Sequence, residues 1–158
     1  MRQTKSIKDS KTKQVHLLRY EDINGAGRLF GGKLVAWIDE VAVITARRHS
    51  EMKVTTVAID HLQFINPVFL DQLVIIVGCV TYVGNTTIEV RVDTFLEELC
   101  GKKSKVNRAY VSIVALDANN RPSPVPFDIM PESDEEKTEW EDALERVELR
   151  KQRRLEGL

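Results

Sequence analysis

Cysteine and histidine are scarce in this chain of 158 residues, and neither has a spacing that is typical of metal ligands. The two cysteines, Cys79 and Cys100, stand far apart, and Cys79 lies within an apolar run. We interpret both as buried or incidental thiols, which fits a reducing cytoplasm. The three histidines are scattered and form no HxxxH pair. We therefore expect no metal site.

Long apolar runs and a strong charge bias are also missing. No stretch approaches the roughly 20 apolar residues that a membrane span requires. The basic N-terminus is not followed by the apolar core of a secretory signal, so residues 1–11 are predicted to form a flexible basic arm. The net charge is −1, and the basic surplus of residues 1–130 is far too small to favour nucleic acid. We expect a cytoplasmic protein with neither a membrane nor a nucleic-acid partner.

What the sequence does contain is a simple order of elements. A short strand is followed by a long helix, predicted over Gly32–His49, and then by four strands with short connections. Short connections require antiparallel neighbours, because a parallel crossover needs a dozen or more residues. The sequence therefore predicts an α+β fold, with a five-stranded antiparallel sheet wrapped around one long helix. The predicted strands are 15–20, 54–64, 72–82, 87–97 and 106–117.

Residues 131–158 are richer in charged residues than the rest of the chain and are predicted to form a charged C-terminal helix. Ser133 and Glu136 fit a capping box. Acidic residues lead and basic residues close the segment, as the helix dipole favours. We expect a surface helix without a catalytic role, which docks on the body or on another subunit through a narrow apolar stripe of Trp140, Ala143, Leu144 and Val147.

Two adjacent carboxylates, Asp39 and Glu40, interrupt the long apolar helix. At about 100° per residue, Glu40 shares a polar stripe with Lys33 and Arg47, whereas Asp39 points into a surface of small apolar residues. An ionised carboxylate in such surroundings costs several kcal/mol unless it is satisfied. Asp39 is therefore either tied to other groups for structural reasons or a reactive group in the wall of a pocket.

The start of the same helix is rich in glycine. At Gly31 and Gly32 the backbone N–H groups of the first turn lack helical partners, and the absent side chains let a ligand approach. Such a helix start can polarise a carbonyl oxygen and stabilise an oxyanion. Asp39 lies about 10–12 Å farther along the axis. A symmetric dimer would resolve this separation by placing Asp39 of one chain opposite the glycines of the other.

Four segments in the correct order together resemble the hotdog-fold acyl-CoA thioesterases, in the branch of small bacterial acyl-CoA hydrolases related to the brain-type mammalian enzymes. The segments are "DINGAGRLFGGKLVAWIDEVA", "TVAIDHLQFINPV", "VGNTTIEVRVDTF" and "AYVSIVALDANNRPSPVP". The resemblance places a hotdog thioesterase domain at residues 12–130. It implies hydrolysis of acyl-CoA to CoA and a fatty or other carboxylic acid, as in fatty acid metabolism, with no cofactor besides the CoA of the substrate. It also implies a homodimer that assembles further into a trimer of dimers, a hexamer.

The same resemblance assigns the site residues. Catalytic roles fall on Asn24 and Asp39 from opposite subunits of the dimer, and the polarising N–H groups fall on Gly31 and Gly32. Contacts to coenzyme A fall on Gly84, Asn85, Thr86 and Thr87. The phosphates of coenzyme A also need cations, for which the candidates are Arg47, Arg48, Lys102, Lys103 and Arg121.

The sequence departs from many relatives at two positions of the first motif. Ala26 stands where they have histidine, and Arg28 stands where they have asparagine. We expect these differences to alter substrate choice or contacts to the pantetheine arm. Neither removes Asn24 or Asp39.

Two alternatives have different chemistry. A hotdog dehydratase would pair a histidine with a carboxylate, and no histidine stands near Asn24 or Asp39 in the motif. A non-catalytic acyl-CoA sensor would have a similar pocket, and the retention of both residues favours catalysis over sensing. Whether Asp39 acts as a general base or as a nucleophile is open at the level of sequence.

Overall fold

The computed structural model describes all residues, 1–158, and contains seven strands and two α-helices. In chain order these are β1 (Gln3–Ser6), β2 (Thr12–Leu17), α1 (Gly31–Ser50), β3 (Lys53–Asp60), β4 (Leu73–Val83), β5 (Thr87–Glu97), β6 (Lys103–Leu116), β7 (Phe127–Met130) and α2 (Asp134–Leu155). The large sheet is antiparallel throughout and has the order β2-β4-β5-β6-β3. The predicted architecture is confirmed. Neither helix combines the length and the apolarity that crossing a bilayer requires.

The core lies between α1 and one face of this sheet. Leu34, Ile38 and Val41 of the helix are almost fully buried, together with Val90 and Val92 on the facing side of β5. Burial of these side chains is the main favourable term in folding.

A glycine on β4 allows the helix to approach the sheet closely. A Cβ atom on Gly78 would lie 2.6 Å from Thr45 Oγ1 and 2.9 Å from Val41 Cγ1. Any larger residue at Gly78 would therefore push α1 away from the sheet.

The N-terminal residues are not the flexible arm that their polar composition predicts. Residues 3–6 form β1, which pairs in parallel with β7, and Ile7 is buried. Lys5 Nζ donates to His49 O at 3.1 Å and lies 2.6 Å from Glu51 Oε1, so its ammonium group neutralises the C-terminal end of α1. The sequence could not show this, because the partner strand lies more than 120 residues away.

The C-terminal helix begins with the predicted capping box. Ser133 Oγ accepts from the Glu136 N–H, and Glu136 Oε2 accepts from the Ser133 N–H. The predicted docking stripe is correct only in part. Ala143 is fully buried and Val147 is half-buried, whereas Trp140 and Leu144 are exposed. Glu139, which the stripe did not include, is also buried.

Charge holds α2 on the outer face of the sheet. The carboxylate of Glu89, on β5, is almost fully buried and binds Arg146 at 2.8 Å and Arg150 at 2.9 Å. Thr81 Oγ1 also donates to Glu89 at 2.7 Å. The side of β5 that alternation marks as polar is therefore covered by the helix rather than by solvent.

Candidate active site

A cleft of about 310 Å³ opens at the first turn of α1. Phe30 occupies the N-cap position, and no side chain there accepts from the helix. The N–H groups of Gly31 and Gly32 therefore have no intrahelical acceptor and remain available to an oxygen atom. Gly31 lines the cleft and Gly32 does not. The rest of the lining is Asn24, Arg28, Leu29, Leu34, Phe64, Ile65, Asn66, Pro67, Val68 and Val106.

Asn24 lies in the loop that leads to this helix, and its side chain shapes the loop. Its Oδ1 atom accepts from the N–H groups of Ala26 at 2.9 Å and of Arg28 at 3.2 Å. Gly27, at φ 74°, closes the turn in a conformation that favours glycine. Since Oδ1 is occupied by two backbone donors, the Nδ2 group is the part of Asn24 that is left to donate to a ligand.

Asp39 lies in the middle of α1 and is half-buried, while Glu40 is exposed. The hydroxyl of Thr56, on β3, donates to Asp39 Oδ1 at 2.5 Å. Thr56 cannot be identified from the sequence, because two threonines stand side by side in β3 and no pattern shows which one faces the helix. Asp39 Oδ2 has no partner within the protomer.

Asn24 and Asp39 do not share a cavity within one protomer. Asn24 lines the cleft and Asp39 does not. The eight helical steps from Gly31 to Asp39 correspond to about 12 Å of axial rise. A reaction centre that uses both side chains therefore needs a second protomer.

Strand β3, which holds Thr56, is an open edge of the sheet. It pairs with β6 on one side and has no strand on the other. Val57 in this strand is 53% exposed, and Ala36, on the same side of α1 as Asp39, is exposed. An open edge with apolar side chains is a template for pairing with another chain.

The predicted coenzyme A turn, Gly84–Thr87, lies at the other end of the sheet. The backbone of this turn is well connected: Gly84 O accepts from Arg2 Nη1 at 2.7 Å, and Asn85 O accepts from the Val125 N–H at 2.8 Å. Thr86 O accepts from the Ala115 N–H at 2.9 Å. The turn is therefore a fixed platform remote from the cleft of its own protomer.

The candidate cations are divided between the two ends of the large sheet. Arg47 and Arg48 belong to the last turn of α1, and Arg121 belongs to the turn after β6, so all three lie at the end that carries Gly84–Thr87. Lys102 and Lys103 lie at the opposite end, where Lys102 belongs to the connection between β5 and β6 and Lys103 is the first residue of β6. Only the first group lies at the same end of the sheet as the predicted coenzyme A turn.

The histidines lie outside the cleft. His16 stacks on Trp37 with a centroid distance of 4.0 Å, and burial lowers its pKa. His49 is fully buried at the end of α1, where burial also lowers its pKa. His61 is exposed. None of the three lines the cleft beside Asn24.

Known proteins are similar to this chain in both fold and sequence. The family model described as the thioesterase superfamily matches residues 26–99. An uncharacterised acyl-CoA thioester hydrolase of Bacillus subtilis is 34% identical over 153 residues, which is 96% of this chain and 88% of that protein. The crystal structure of an apo-hexameric acyl-CoA thioesterase has a TM-score of 0.91 and 35% identity, with 96% of this chain and 97% of that chain covered.

The acyl-CoA hydrolase of Staphylococcus aureus is equally similar. Its structure with butyryl coenzyme A and coenzyme A has a TM-score of 0.92 and 35% identity, with 98% of this chain and 94% of that chain covered. Single alanine variants of that enzyme were also solved, at an asparagine, an aspartate and a threonine. These three positions follow one another at intervals of 15 and 17 residues.

Proposed function

The chain belongs to the thioesterase superfamily, as an acyl-CoA thioesterase of the hotdog fold, and we propose that its reaction site is shared by two protomers. In the proposed reaction an acyl-CoA is hydrolysed to coenzyme A and a free fatty or other carboxylic acid. The observation that carries the proposal is the position of Asp39. It is bonded to the open edge strand through Thr56 and is separate from the cleft that holds Asn24 and Gly31.

The spacing of three polar residues supports this assignment. Asn24, Asp39 and Thr56 follow one another at intervals of 15 and 17 residues, as do the three positions altered in the Staphylococcus aureus hydrolase. Residue types and intervals agree together, so we take these positions as equivalent. Thr56 is thereby added to the site.

In the proposed dimer, two β3 strands pair antiparallel about a twofold axis. The Asp60 end of one β3 then lies against the Lys53 end of the other. Thr56 lies near the middle of β3, so Asp39 comes close to the axis and faces the partner's cleft. Three such dimers would form a hexamer, the assembly named for a solved relative.

The same pairing places the coenzyme A. The cleft is at the Asp60 end, and the turn Gly84–Thr87 is at the Lys53 end. Antiparallel pairing therefore brings the turn of one protomer to the side of the dimer that carries the cleft of the other. The phosphates of the coenzyme A would meet Arg47, Arg48 and Arg121 there, and the acyl group would enter the cleft.

The chemistry follows from the free polar atoms. The N–H groups of Gly31 and Gly32 and the Nδ2 group of Asn24 would donate to the thioester oxygen and to the oxyanion that forms from it. Asp39 Oδ2 from the other protomer would take a proton from the attacking water, or attack the carbonyl carbon itself. In either case the tetrahedral intermediate breaks its C–S bond, and the thiolate of coenzyme A leaves and is protonated. If water attacks, the carboxylic acid forms directly and the proton that Asp39 accepted goes to the thiolate. If Asp39 attacks, the acyl group is left on Asp39 as a mixed anhydride, which water hydrolyses to the carboxylic acid and the free carboxylate. Thr56 orients the carboxylate throughout.

Release of coenzyme A thiol from acyl-CoA tests the proposal directly. The native oligomer should hydrolyse acyl-CoA, and Asn24→Ala should lower kcat by about 10²-fold, as removal of a donor to an oxyanion does. Binding of acyl-CoA without any turnover would contradict the proposal and identify the protein as a sensor. Retention of full activity by Asn24→Ala would contradict the assignment of this residue.

A further inference from the structure

We infer that Phe64 limits the length of the acyl chain that this enzyme accepts, and that Asn107 is the positioning residue that holds Phe64 in place. The inference rests on the proposed function, since it assigns the acyl end of the substrate to the cleft at the start of α1. It concerns the wall loop, residues 61–67, which follows β3 and forms one side of that cleft.

The ring of Phe64 lies against the first residue of α1. A Cβ atom on Gly31 would be 3.3 Å from Phe64 Cζ and 3.6 Å from Cε2, so the ring already occupies the space beside the glycine. The N–H groups of Gly31 and Gly32 are the proposed donors to the thioester oxygen. An alkyl chain that enters the cleft from this point therefore meets the Phe64 ring.

Phe64 is a large apolar side chain that is exposed in the protomer. Its exposed fraction is 54%, and that of Ile65 is 63%, whereas Leu34 and Val68 across the cleft are 1% exposed. An alkyl chain lying in the cleft would cover the two exposed side chains and contact the two buried ones. The cleft of about 310 Å³ is about twice the size of a 150 Å³ cavity that holds benzene, so with Phe64 in place it suits a short or medium acyl chain.

The wall loop is tied to strand β6. It has no regular structure of its own, and the ties lie at a register shift between β5 and β6. The three bonds are Asn107 Nδ2 to Gln63 O at 2.5 Å, Ile65 N to Val106 O at 3.2 Å, and Asn66 Nδ2 to Lys105 O at 2.8 Å.

Asn107 is the buried member of these ties. Its side chain has no exposed surface, and its Oδ1 atom has no hydrogen-bond partner. A buried amide oxygen without a hydrogen-bond partner destabilises the folded state, so core packing alone does not account for an asparagine at this position. The one hydrogen bond of the Asn107 side chain goes to Gln63 O, in the residue before Phe64. The effect of this bond is to fix the loop that carries the Phe64 ring.

The test compares Phe64→Ala with Phe69→Ala in the native oligomer. Phe69 is also an exposed phenylalanine between β3 and β4, but it does not line the cleft. The measured quantities are kcat/KM and the dissociation constant for butyryl-, octanoyl- and lauroyl-CoA. Phe64→Ala should raise the lauroyl-to-butyryl ratio of kcat/KM at least tenfold, because each further buried methylene is worth about fourfold. Phe69→Ala should change that ratio less than twofold.

The outcomes separate the inference from the proposed function. If the wild-type protein hydrolyses none of the three acyl-CoAs, the proposed function fails. Their dissociation constants then still test whether Phe64 limits the length of the bound acyl chain. An unchanged ratio for Phe64→Ala, in turnover or in affinity, would overturn the inference while leaving hydrolysis untouched.

Asn107→Leu tests the positioning role, because it keeps the volume and removes the donor. The lauroyl-to-butyryl ratio should rise several-fold, and adding Asn107→Leu to Phe64→Ala should raise it no further, as expected for residues that act through one contact. A merely structural Asn107 would lower Tm and leave the ratio unchanged, and that result would overturn its part of the inference.

Discussion

The hydroxyl of Thr56 donates to Asp39 Oδ1 at 2.5 Å, and this bond joins the edge strand of the sheet to the middle of the central helix. It fixes the direction of a half-buried carboxylate and occupies one of its two oxygens. Asp39 Oδ2 has no hydrogen-bond partner within the protomer. The strand that would pair with a partner thus also presents the carboxylate to that partner.

Substitution of Asp39 separates catalysis from folding. Asp39→Asn keeps the shape and removes the charge, so turnover should fall by about 10²–10⁴ while the affinity for coenzyme A changes little. Glu40→Gln is the matched control, because Glu40 is the exposed neighbour on the same helix. Equal losses of activity at the two positions would contradict the catalytic assignment. A fall in Tm with turnover per folded molecule preserved would show that Asp39 is structural.

Removal of the Thr56 hydroxyl should disorient the carboxylate without removing it. Thr56→Val should lower kcat by about tenfold or more and leave KM nearly unchanged, since the bond aligns a group that acts mainly in the transition state. Thr56→Ser, which keeps the hydroxyl, should recover most of the activity. The control is Thr55→Val, at the exposed neighbouring position of β3. A loss as large at Thr55 would show that the strand, rather than the hydrogen bond, matters.

Mixed oligomers test the shared site. A dimer of Asn24→Ala and Asp39→Ala chains contains one site with both defects and one with neither, if the two residues come from different protomers. Subunits mixed by denaturation and refolding should then recover up to about a quarter of the wild-type activity, because half of the dimers are mixed and each has one intact site. Refolding each variant alone provides the baseline. No recovery in the mixture, with hetero-oligomers confirmed by mass spectrometry, would place the site within one protomer.

The sequence predicted elements whose pattern is local and missed those whose partners are distant. Alternation located β5 at its observed bounds, and helical phase separated Asp39 from Glu40. Neither pattern could show that Glu89, on the polar side of β5, is buried under a helix that begins more than 40 residues later. The apolar stripe of α2 was only partly right for the same reason. Ala143 is buried, but Trp140 and Leu144 are exposed, because the docking face also has to bring Arg146 to the Glu89 carboxylate on the sheet.

Arg146 should therefore matter for stability more than the apolar residues of α2. Its guanidinium binds Glu89 at 2.8 Å and stacks on the Tyr110 ring at 3.8 Å. Arg146→Ala leaves the buried carboxylate with Arg150 alone, so the free energy of unfolding should fall by about 2–4 kcal/mol. Arg154→Ala, at an exposed position of the same helix, should cost less than about 0.5 kcal/mol. If Arg146→Ala and Arg154→Ala lower the free energy of unfolding equally in urea titrations, the Arg146–Glu89 pair does not hold the helix on the sheet.

Burial of His49 predicts a loss of stability in mild acid. Its ring is fully buried, Nδ1 has no hydrogen-bond partner, and burial lowers its pKa below the usual value near 6.5. As the pH falls below about 6.5, the unfolded chain binds a proton that the native protein does not, so the free energy of unfolding decreases. The decrease can reach about 1.4 kcal/mol per pH unit for one proton, and it ends below the pKa of the folded state.

His49→Gln should flatten this dependence. Unfolding free energies measured between pH 8 and pH 5 should decline less steeply in this variant than in the wild-type protein, even if its stability at pH 8 is lower. Part of the slope should persist, because burial also lowers the pKa of His16. His61→Gln, at an exposed position, is the control and should keep the wild-type slope. If His49→Gln declines as steeply as His61→Gln, another group causes the loss in acid, since a glutamine at position 49 has no proton to bind in this range.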